Sequence, residues 1–222
     1  MSPSGGLTSG NEVNFHVDTY GNPPLVQPLI ASSSARTNVQ QNLFILSQGN
    51  LNGVPTWYGT GYAVWLTPSN IYSLYRFSAN HPVAQSGAVS NLFSAFFNNF
   101  LNSPNSYTNA SHLLDGVVGF RIHAFDTTGA LIITNRPNNT IYANSLVNQP
   151  GETGYNFYSN AVPAAVDIEM ATLEDRTLQR AGTWPNNSIA QSNYLSQQAG
   201  KLHIFRQRVS VPNVDPAAYL LP

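Results

Sequence analysis

Two carboxylates on one short segment have the clearest chemical potential: Asp167 and Glu169, in the string AVDIEMATL. On a β-strand, residues i and i+2 point to the same side and lie about 6 to 7 Å apart. Glycosidases hold two carboxyl groups about 5 to 9.5 Å apart, so a glycosidase is one hypothesis. Any alternating acidic strand has the same spacing. The favoured interpretation is therefore a solvated sheet face, on which the carboxylates pair with Arg121, Arg206 or Arg208.

The five histidines do not form a recognisable metal-binding motif. A zinc site needs three or four converging ligands, and the sequence has no HExxH string and no tight histidine cluster. The loop from Asp126 to Gly129 has one carboxylate and lacks the EF-hand series, so it is interpreted as a hairpin turn. We expect no metal, no cofactor and no catalytic residue. The histidines are His16, which shares a strand face with Asp18, and His81, His112, His123 and His203.

Signatures of serine hydrolases and nucleotide-binding proteins are also missing. There is no GxSxG string and no Walker A motif. Gly59-Thr60-Gly61 precedes an expected strand, whereas a dinucleotide-binding motif follows a strand and opens a helix. The three residues are interpreted as a turn.

Aromatic residues support an alternative function, an extracellular carbohydrate-binding module that uses surface aromatics. The favoured interpretation of these side chains is core packing together with partner contacts. Trp57→Ala and Trp65→Ala are the substitutions that test the alternative. The aromatic residues in question are Trp57, Tyr58, Tyr62, Trp65, Tyr72, Tyr75 and Trp184.

The composition favours a protein that works among other proteins. Only 9% of the 222 residues are charged, against a usual value of about 25%, and the net charge is −1. Between Arg36 and Asp115 the only charged residue is Arg76. Nucleic-acid binding requires clustered Lys and Arg, so we expect no nucleic-acid partner. The sequence has no cysteine and therefore indicates neither an oxidising nor a reducing compartment.

The first half of the chain predicts strands and one helix. Asn14–Val17 and Leu43–Ser47 are expected strands, the latter bounded by turns at Gly49-Asn50 and Asn52-Gly53. Gly61–Leu66 and Ile71–Phe77 are expected to form a hairpin around Thr67-Pro68-Ser69-Asn70. A core-facing helix is predicted after Ser90, the expected N-cap, because its apolar residues follow helical spacing. These are Leu92, Phe93, Phe96, Phe97, Phe100 and Leu101.

The second half shows the period-two pattern of half-buried antiparallel strands. It appears at Val118–Ala124 and at Val166–Met170, and Leu202–Val211 is the last expected strand. Two short helices separate the last two strands. Thr172 and Asp175 are expected to cap the first, which ends at Gly182, and Ser188 the second, which ends near Ala199. Residues 135–160 are rich in Asn, Pro and Gly without periodicity, and are predicted to be a mobile loop.

Several strings together resemble one family. LFILSQG (43–49), GTGYAV (59–64) and LYRF (74–77) occur in that order, followed by three sheet-like segments. These segments are Leu113–Gly129, Ala161–Gly182 and Gln198–Pro212. The residues of these strings and their order along the chain resemble minor pseudopilins of the J or PilW-like type. These proteins are found in type II secretion and type IV pilus-like machines. The closest likeness is to the group called Verru_Chthon cassette protein C, and it covers roughly residues 43–212.

The resemblance implies an α+β fold, mainly antiparallel β-sheet with short packed helices. We expect residues 1–12 to be a flexible lead and 13–222 a single pseudopilin-like head domain. Family members begin with a leader and a long apolar helix, neither of which this sequence contains, and we expect that the helix was trimmed. The resemblance further implies a non-enzymatic structural subunit in the periplasm or cell envelope, anchored in the inner membrane through that helix. Its expected partners are other minor or major pseudopilins and secreted cargo.

Overall fold

The structure is a computed structural model that describes residues 13–19, 21, 25–28, 35–65, 71–102, 110–133, 141–145, 153–158, 161–185, 188–198, 200–212 and 214–216. Within these residues the elements are strands and short helices. The strands are β1 (Val13–Asp18), β2 (Leu25–Pro28), β3 (Ala35–Asn38), β4 (Asn42–Leu51), β5 (Val54–Trp65), β6 (Ser73–Pro82), β7 (Ala110–Leu114), β8 (Val117–Phe125), β9 (Ile141–Ser145), β10 (Thr153–Tyr158), β11 (Ala165–Leu173) and β12 (Leu202–Ser210). The helices are α1 (Ala88–Ser94), its π-helical continuation Ala95–Phe100, α2 (Asp175–Ala181) and α3 (Ile189–Ser196).

The larger layer is an antiparallel sheet of seven described strands, in the order β7-β6-β5-β4-β1-β10-β9. The predicted hairpin is confirmed, because β5 pairs with β6 from Thr56–Pro82 to Trp65–Ser73. The hairpin before it turns at Asn52 and Gly53, where φ is 51° and 83°. Gly49 and Asn50 lie inside β4 and do not turn the chain, so that prediction was wrong. The residues expected to turn between β5 and β6, 67–70, lie outside the described part of the chain.

One face of the seven-stranded sheet is covered by α1 and its π-helical continuation. Phe96 and Phe100 are fully buried against Phe44 and Phe77 of the sheet. The predicted core-facing helix is thus confirmed, although its start was misplaced. The helix begins after Gly87, whose φ of 70° suits glycine, and Ser90 Oγ instead donates to the Gly87 carbonyl.

Gly59 and Gly61 explain how this helix approaches the sheet so closely. Both lie within β5, so the prediction that they form a turn was wrong. A Cβ atom on Gly61 would lie 2.3 Å from Phe96 Cε2, and one on Gly59 would lie 3.0 Å from Phe44 Cε2. The absence of side chains therefore makes room for the aromatic rings above the strand.

The second layer is a three-stranded antiparallel sheet in the order β12-β11-β8. The predicted alternation in β8 is confirmed: Phe120, Ile122 and Ala124 are buried, and Arg121 and His123 are partly exposed. Helices α2 and α3 lie between β11 and β12 in the chain, as predicted. Ser188 caps α3 by accepting a hydrogen bond from Gln191 N at 3.2 Å.

The predicted capping of α2 was wrong in detail. The N-cap position is Glu174 and makes no side-chain capping hydrogen bond, while Thr172 belongs to β11. The helix does end at Gly182, as predicted. The sequence pattern placed this helix correctly. Pairing with β8 and β12, however, extends β11 past Thr172, the residue expected to cap the helix.

The free edge of β8 is covered by the chain segment before β4. Phe120 N donates to Val39 O, and Gln41 N donates to Phe120 O, both at 2.8 Å. The fully buried Gln41 side chain accepts a further bond from Ile122 N at 2.6 Å. Buried backbone groups require such partners, so this segment joins the two sheets around the main core.

The prediction of a loop without strands over 135–160 was wrong for two parts of that range. Ile141–Ser145 and Thr153–Tyr158 form β9 and β10, and β10 pairs with both β9 and β1. Tyr155 and Phe157 are buried in the core between the sheets. Pairing with β1 and β9 places β10 in the sheet, although the Asn, Gly and Pro residues in this range do not predict a strand.

These elements confirm the predicted fold class: α+β, dominated by antiparallel sheet with short helices. Within the described residues, no helix has both the length and the hydropathy needed to cross a bilayer.

Candidate functional site

The acidic pair of β11 forms ion pairs with arginines across the three-stranded sheet. Arg208 donates to Asp167 through Nε at 2.7 Å and through a terminal nitrogen at 3.1 Å. Arg206 donates to Glu169 through Nε at 3.1 Å and through a terminal nitrogen. Arg121 lies 3.8 Å from the other Glu169 oxygen. The favoured interpretation of Asp167 and Glu169 is therefore confirmed.

The neighbouring arginines favour the ionised form of both carboxyl groups, Asp167 and Glu169. Hydrogen bonding from Arg208 lowers the pKa of Asp167. Partial burial opposes a similar shift at Glu169, but hydrogen bonding and attraction from Arg206 outweigh it and lower its pKa. A glycosidase acid needs a carboxyl whose pKa is raised, so that it holds its proton. Neither carboxyl meets that requirement.

His16 and Asp18 share a strand face, as predicted, and both are buried. His16 Nε2 lies 3.1 Å from an Asp18 oxygen, without hydrogen-bond geometry, and His16 Nδ1 lies 2.6 Å from Asn156 Oδ1. Asn42 donates to Asp18 at 2.8 Å. The imidazole lies edge-on to Phe93, with ring centroids 5.1 Å apart. The group is a polar cluster that joins β1, β4 and β10 beneath the helix.

Ser73, His112 and Asp115 form a second polar group that sequence reasoning missed. Ser73 Oγ donates to Asp115 Oδ1, and His112 Nε2 lies 2.9 Å from the same oxygen. A serine nucleophile needs the histidine between serine and carboxylate, where it can accept the serine proton. Here the carboxylate lies in the middle, so the serine has no histidine base.

The loop from Asp126 to Gly129, considered as a metal-binding candidate, has a structural explanation. Asp126 Oδ1 accepts hydrogen bonds from Thr128 N at 2.9 Å and Ala130 N at 3.0 Å, which confirms a hairpin turn. Within the described ranges, no group of three or more His, Asp or Glu side chains is arranged to hold a metal ion.

The favoured interpretation of the aromatic residues as core packing is confirmed for Trp65 and Tyr72, which are buried. Trp65 is 5% exposed and packs between Tyr75 and Phe100, each with ring centroids 4.5 Å away. Tyr72 is also buried, and burial raises its pKa. Trp184 is partly buried and packs on Tyr194. Trp65 and Tyr72 are therefore not accessible to a sugar ligand, whereas Trp57 retains partial exposure.

Among the elements whose side chains the structure describes, β12 is the most exposed. Every residue from His203 to Ser210 is exposed, although the strand is paired along its whole length with β11. Among the described residues, no strand pairs with its other edge. Phe205 is 57% exposed, a high value for a large apolar side chain inside a strand. Sheet edges of this kind are open to pairing with another chain.

A mainly apolar groove, lined also by Asp115 and Asp175, lies beside Phe205 of β12 and reaches the edge of the other sheet. Its volume is about 620 Å³, and Leu113 and Leu114 of β7 form one side. Met170, Leu178 and Phe205 form the other side. Leu113 is 48% exposed, so apolar surface from both sheets meets here. The groove joins residues about 90 positions apart in the sequence, which is why no local pattern predicted it.

The opposite face of the same sheet carries a group of arginines beside the exposed Ile204. Arg206 and Arg208 project from β12 on this face, with side chains 69% and 53% exposed. Arg36 and Arg121 lie beside Glu169 around a small cavity of about 110 Å³. Four arginines face the two carboxylates of β11, so the face has a net positive charge. The strand thus separates an apolar groove from a basic face.

Comparison with known proteins gave no match. No family model, no curated protein and no solved structure matches this chain.

Proposed function

We propose that this chain is a non-enzymatic structural subunit of a type II secretion or type IV pilus-like assembly, a minor pseudopilin. Two arguments support the proposal. The first is the resemblance of residues 43–212 to that family. The second is the exposure of β12 beside an apolar groove, which is the arrangement expected of a protein–protein contact surface.

The exposed strand is the observation on which the proposal depends. A nine-residue edge strand with an exposed phenylalanine presents backbone hydrogen-bonding groups and apolar surface that another chain can cover. A subunit that meets neighbours in an assembly can use an edge of this kind. In the proposed role, contacts with other pseudopilins initiate a pseudopilus or engage secreted cargo. The protein would act in the periplasm or cell envelope.

Co-expression with a panel of minor and major pseudopilin heads tests the proposal. We expect a stable complex with at least one head, recovered by affinity purification and sized by light scattering. Failure to bind any of them would contradict the proposal. A glycan array run in parallel separates the carbohydrate-binding alternative, since sugar binding that is lost in Trp57→Ala would support that function instead.

A further inference from the structure

The open edge of β12 has a specific chemistry, and we infer from it the kind of partner that it fits. We propose that β12 accepts an extended segment of a partner protein whose residues alternate between apolar and acidic. This inference rests on the proposed function only in taking the partner to be a protein. It adds the position of the contact and the sequence pattern of the segment that binds.

The backbone provides the first part of the argument. In an antiparallel sheet, the N–H and C=O groups of alternate residues point to opposite neighbours. Pairing with β11 therefore uses one set of β12 groups and leaves the other set directed outward. An added strand would satisfy these groups, as in recognition by strand addition.

The side chains provide the second part. Along β12, Phe205 and Val209 lie on the side of the groove, while Arg206 and Arg208 lie on the basic face. A strand paired with β12 places its own residues alternately on these two sides. One set would lie beside Phe205 and Val209 and gain stability by burying apolar surface. The other set would face the arginines, where carboxylates fit best.

The protein already contains a strand with this pattern on the inner edge of β12. In β11, Val166, Ile168 and Met170 alternate with Asp167 and Glu169. The carboxylates meet arginines directly opposite, Asp167 with Arg208 and Glu169 with Arg206. The β11 sequence shows that β12 pairs with a strand of alternating apolar and acidic residues. A strand with the same alternation suits the open edge of β12.

The arginines retain the capacity to bind a second carboxylate. A guanidinium has five N–H donors, and Arg206 and Arg208 each use only Nε and one terminal nitrogen toward β11. The remaining N–H groups of each guanidinium are exposed and can donate to a carboxylate on a strand added at the open edge of β12. Bonds between a guanidinium and a carboxylate are among the stronger hydrogen bonds in proteins.

A synthetic peptide with the β11 sequence, AVDIEMATL, is the probe for this edge. We expect it to bind the intact chain saturably in fluorescence anisotropy. The charge-reversed peptide AVKIKMATL should bind about tenfold more weakly or worse, because its lysines face arginines. Equal binding of the two peptides, or no binding of AVDIEMATL, would overturn the proposal.

Two further comparisons separate strand addition from nonspecific adhesion. Phe205→Ser removes apolar surface at the groove and should weaken peptide binding severalfold. Its matched control is Ile189→Ser on α3, where an 80% exposed side chain does not line the groove and the affinity should not change. Two peptides N-methylated at alternate amides should differ, because only one set of amides faces β12. Equal affinities for the two methylated peptides would contradict strand addition.

The outcomes also separate this inference from the proposed function. Peptide binding as described, without binding to any neighbouring pseudopilin head, would retain the edge site and reject the pseudopilin role. Binding to a head together with equal affinity for AVDIEMATL and AVKIKMATL would retain the role and reject the edge site.

Discussion

On the seven-stranded sheet, Phe96 and Phe100 are fully buried under a short helix, whereas on the three-stranded sheet Phe205 is 57% exposed. Both regions combine antiparallel strands with large aromatic side chains. They differ in what covers them. Glycines in β5 allow the helix to pack directly on the first sheet, while β12 is exposed at the edge of the second.

This difference separates two uses of apolar residues. Aromatic side chains under the helix stabilise the fold, since burial removes their surface from water. Apolar side chains on β12 and β7 contribute little to the isolated chain because they stay in contact with water. Their contribution would come from association, when a partner covers them. Substitutions in the two regions should therefore affect different measurements.

The largest expected effect comes from removing an aromatic ring beneath the helix. Phe96→Ala should lower the free energy of unfolding by about 3 to 5 kcal/mol, because it leaves a cavity in a fully buried site. Phe205→Ala is the matched control and should cost about 0.5 kcal/mol or less, as an exposed position. Urea denaturation followed by tryptophan fluorescence measures both. Similar losses in the two variants would contradict the contrast between the regions.

A smaller effect is expected from adding one methyl group under the same helix. Gly61→Ala places a Cβ atom 2.3 Å from Phe96 Cε2, so the ring or the strand must move. Overpacking of this kind costs about 1 to 3 kcal/mol. Gly200→Ala is the control, because no atom lies within 4 Å of its added Cβ. If Gly61→Ala unfolds at the same urea concentration as the unmodified chain, the close packing of Phe96 on Gly61 is contradicted.

The smallest effect is expected at the ion pairs of β11. Because Arg208 lowers the pKa of Asp167, the carboxylate stabilises the folded state above its unfolded pKa, near 3.8. That contribution is lost as the pH falls through the lowered pKa. Asp167→Asn should therefore reduce the urea midpoint slightly at about pH 7, and this difference should shrink as the pH falls below the unfolded pKa. A difference between variant and unmodified chain that grows on acidification would show the opposite sign.

Much of the fold could be predicted from local patterns. Alternation with a period of two identified both β8 and β11 as strands, and in β8 it also identified the buried face. Helical spacing placed Phe96 and Phe100 in the core. The ion pairs of Asp167 and Glu169 were predicted because cross-strand neighbours follow from the same alternation.

What could not be predicted depends on distant parts of the chain. β10 lies among Asn, Gly and Pro residues, and its order comes from pairing with β1 and β9. Gln41 is polar by type but fully buried, because it satisfies the backbone of β8 some 80 residues away. The groove requires Leu113 and Phe205 to meet at the edges of two sheets. None of these arrangements has a local signal.

Hydrogen–deuterium exchange of the intact chain, with and without the peptide AVDIEMATL, tests the central claim most directly. Without peptide, alternate amides of β12 should exchange rapidly, while those of β5 are protected by pairing with β4 and β6. Addition of peptide should slow exchange mainly in residues 202–210. Protection of another region, with β12 unchanged, would contradict the account of β12 as the binding edge.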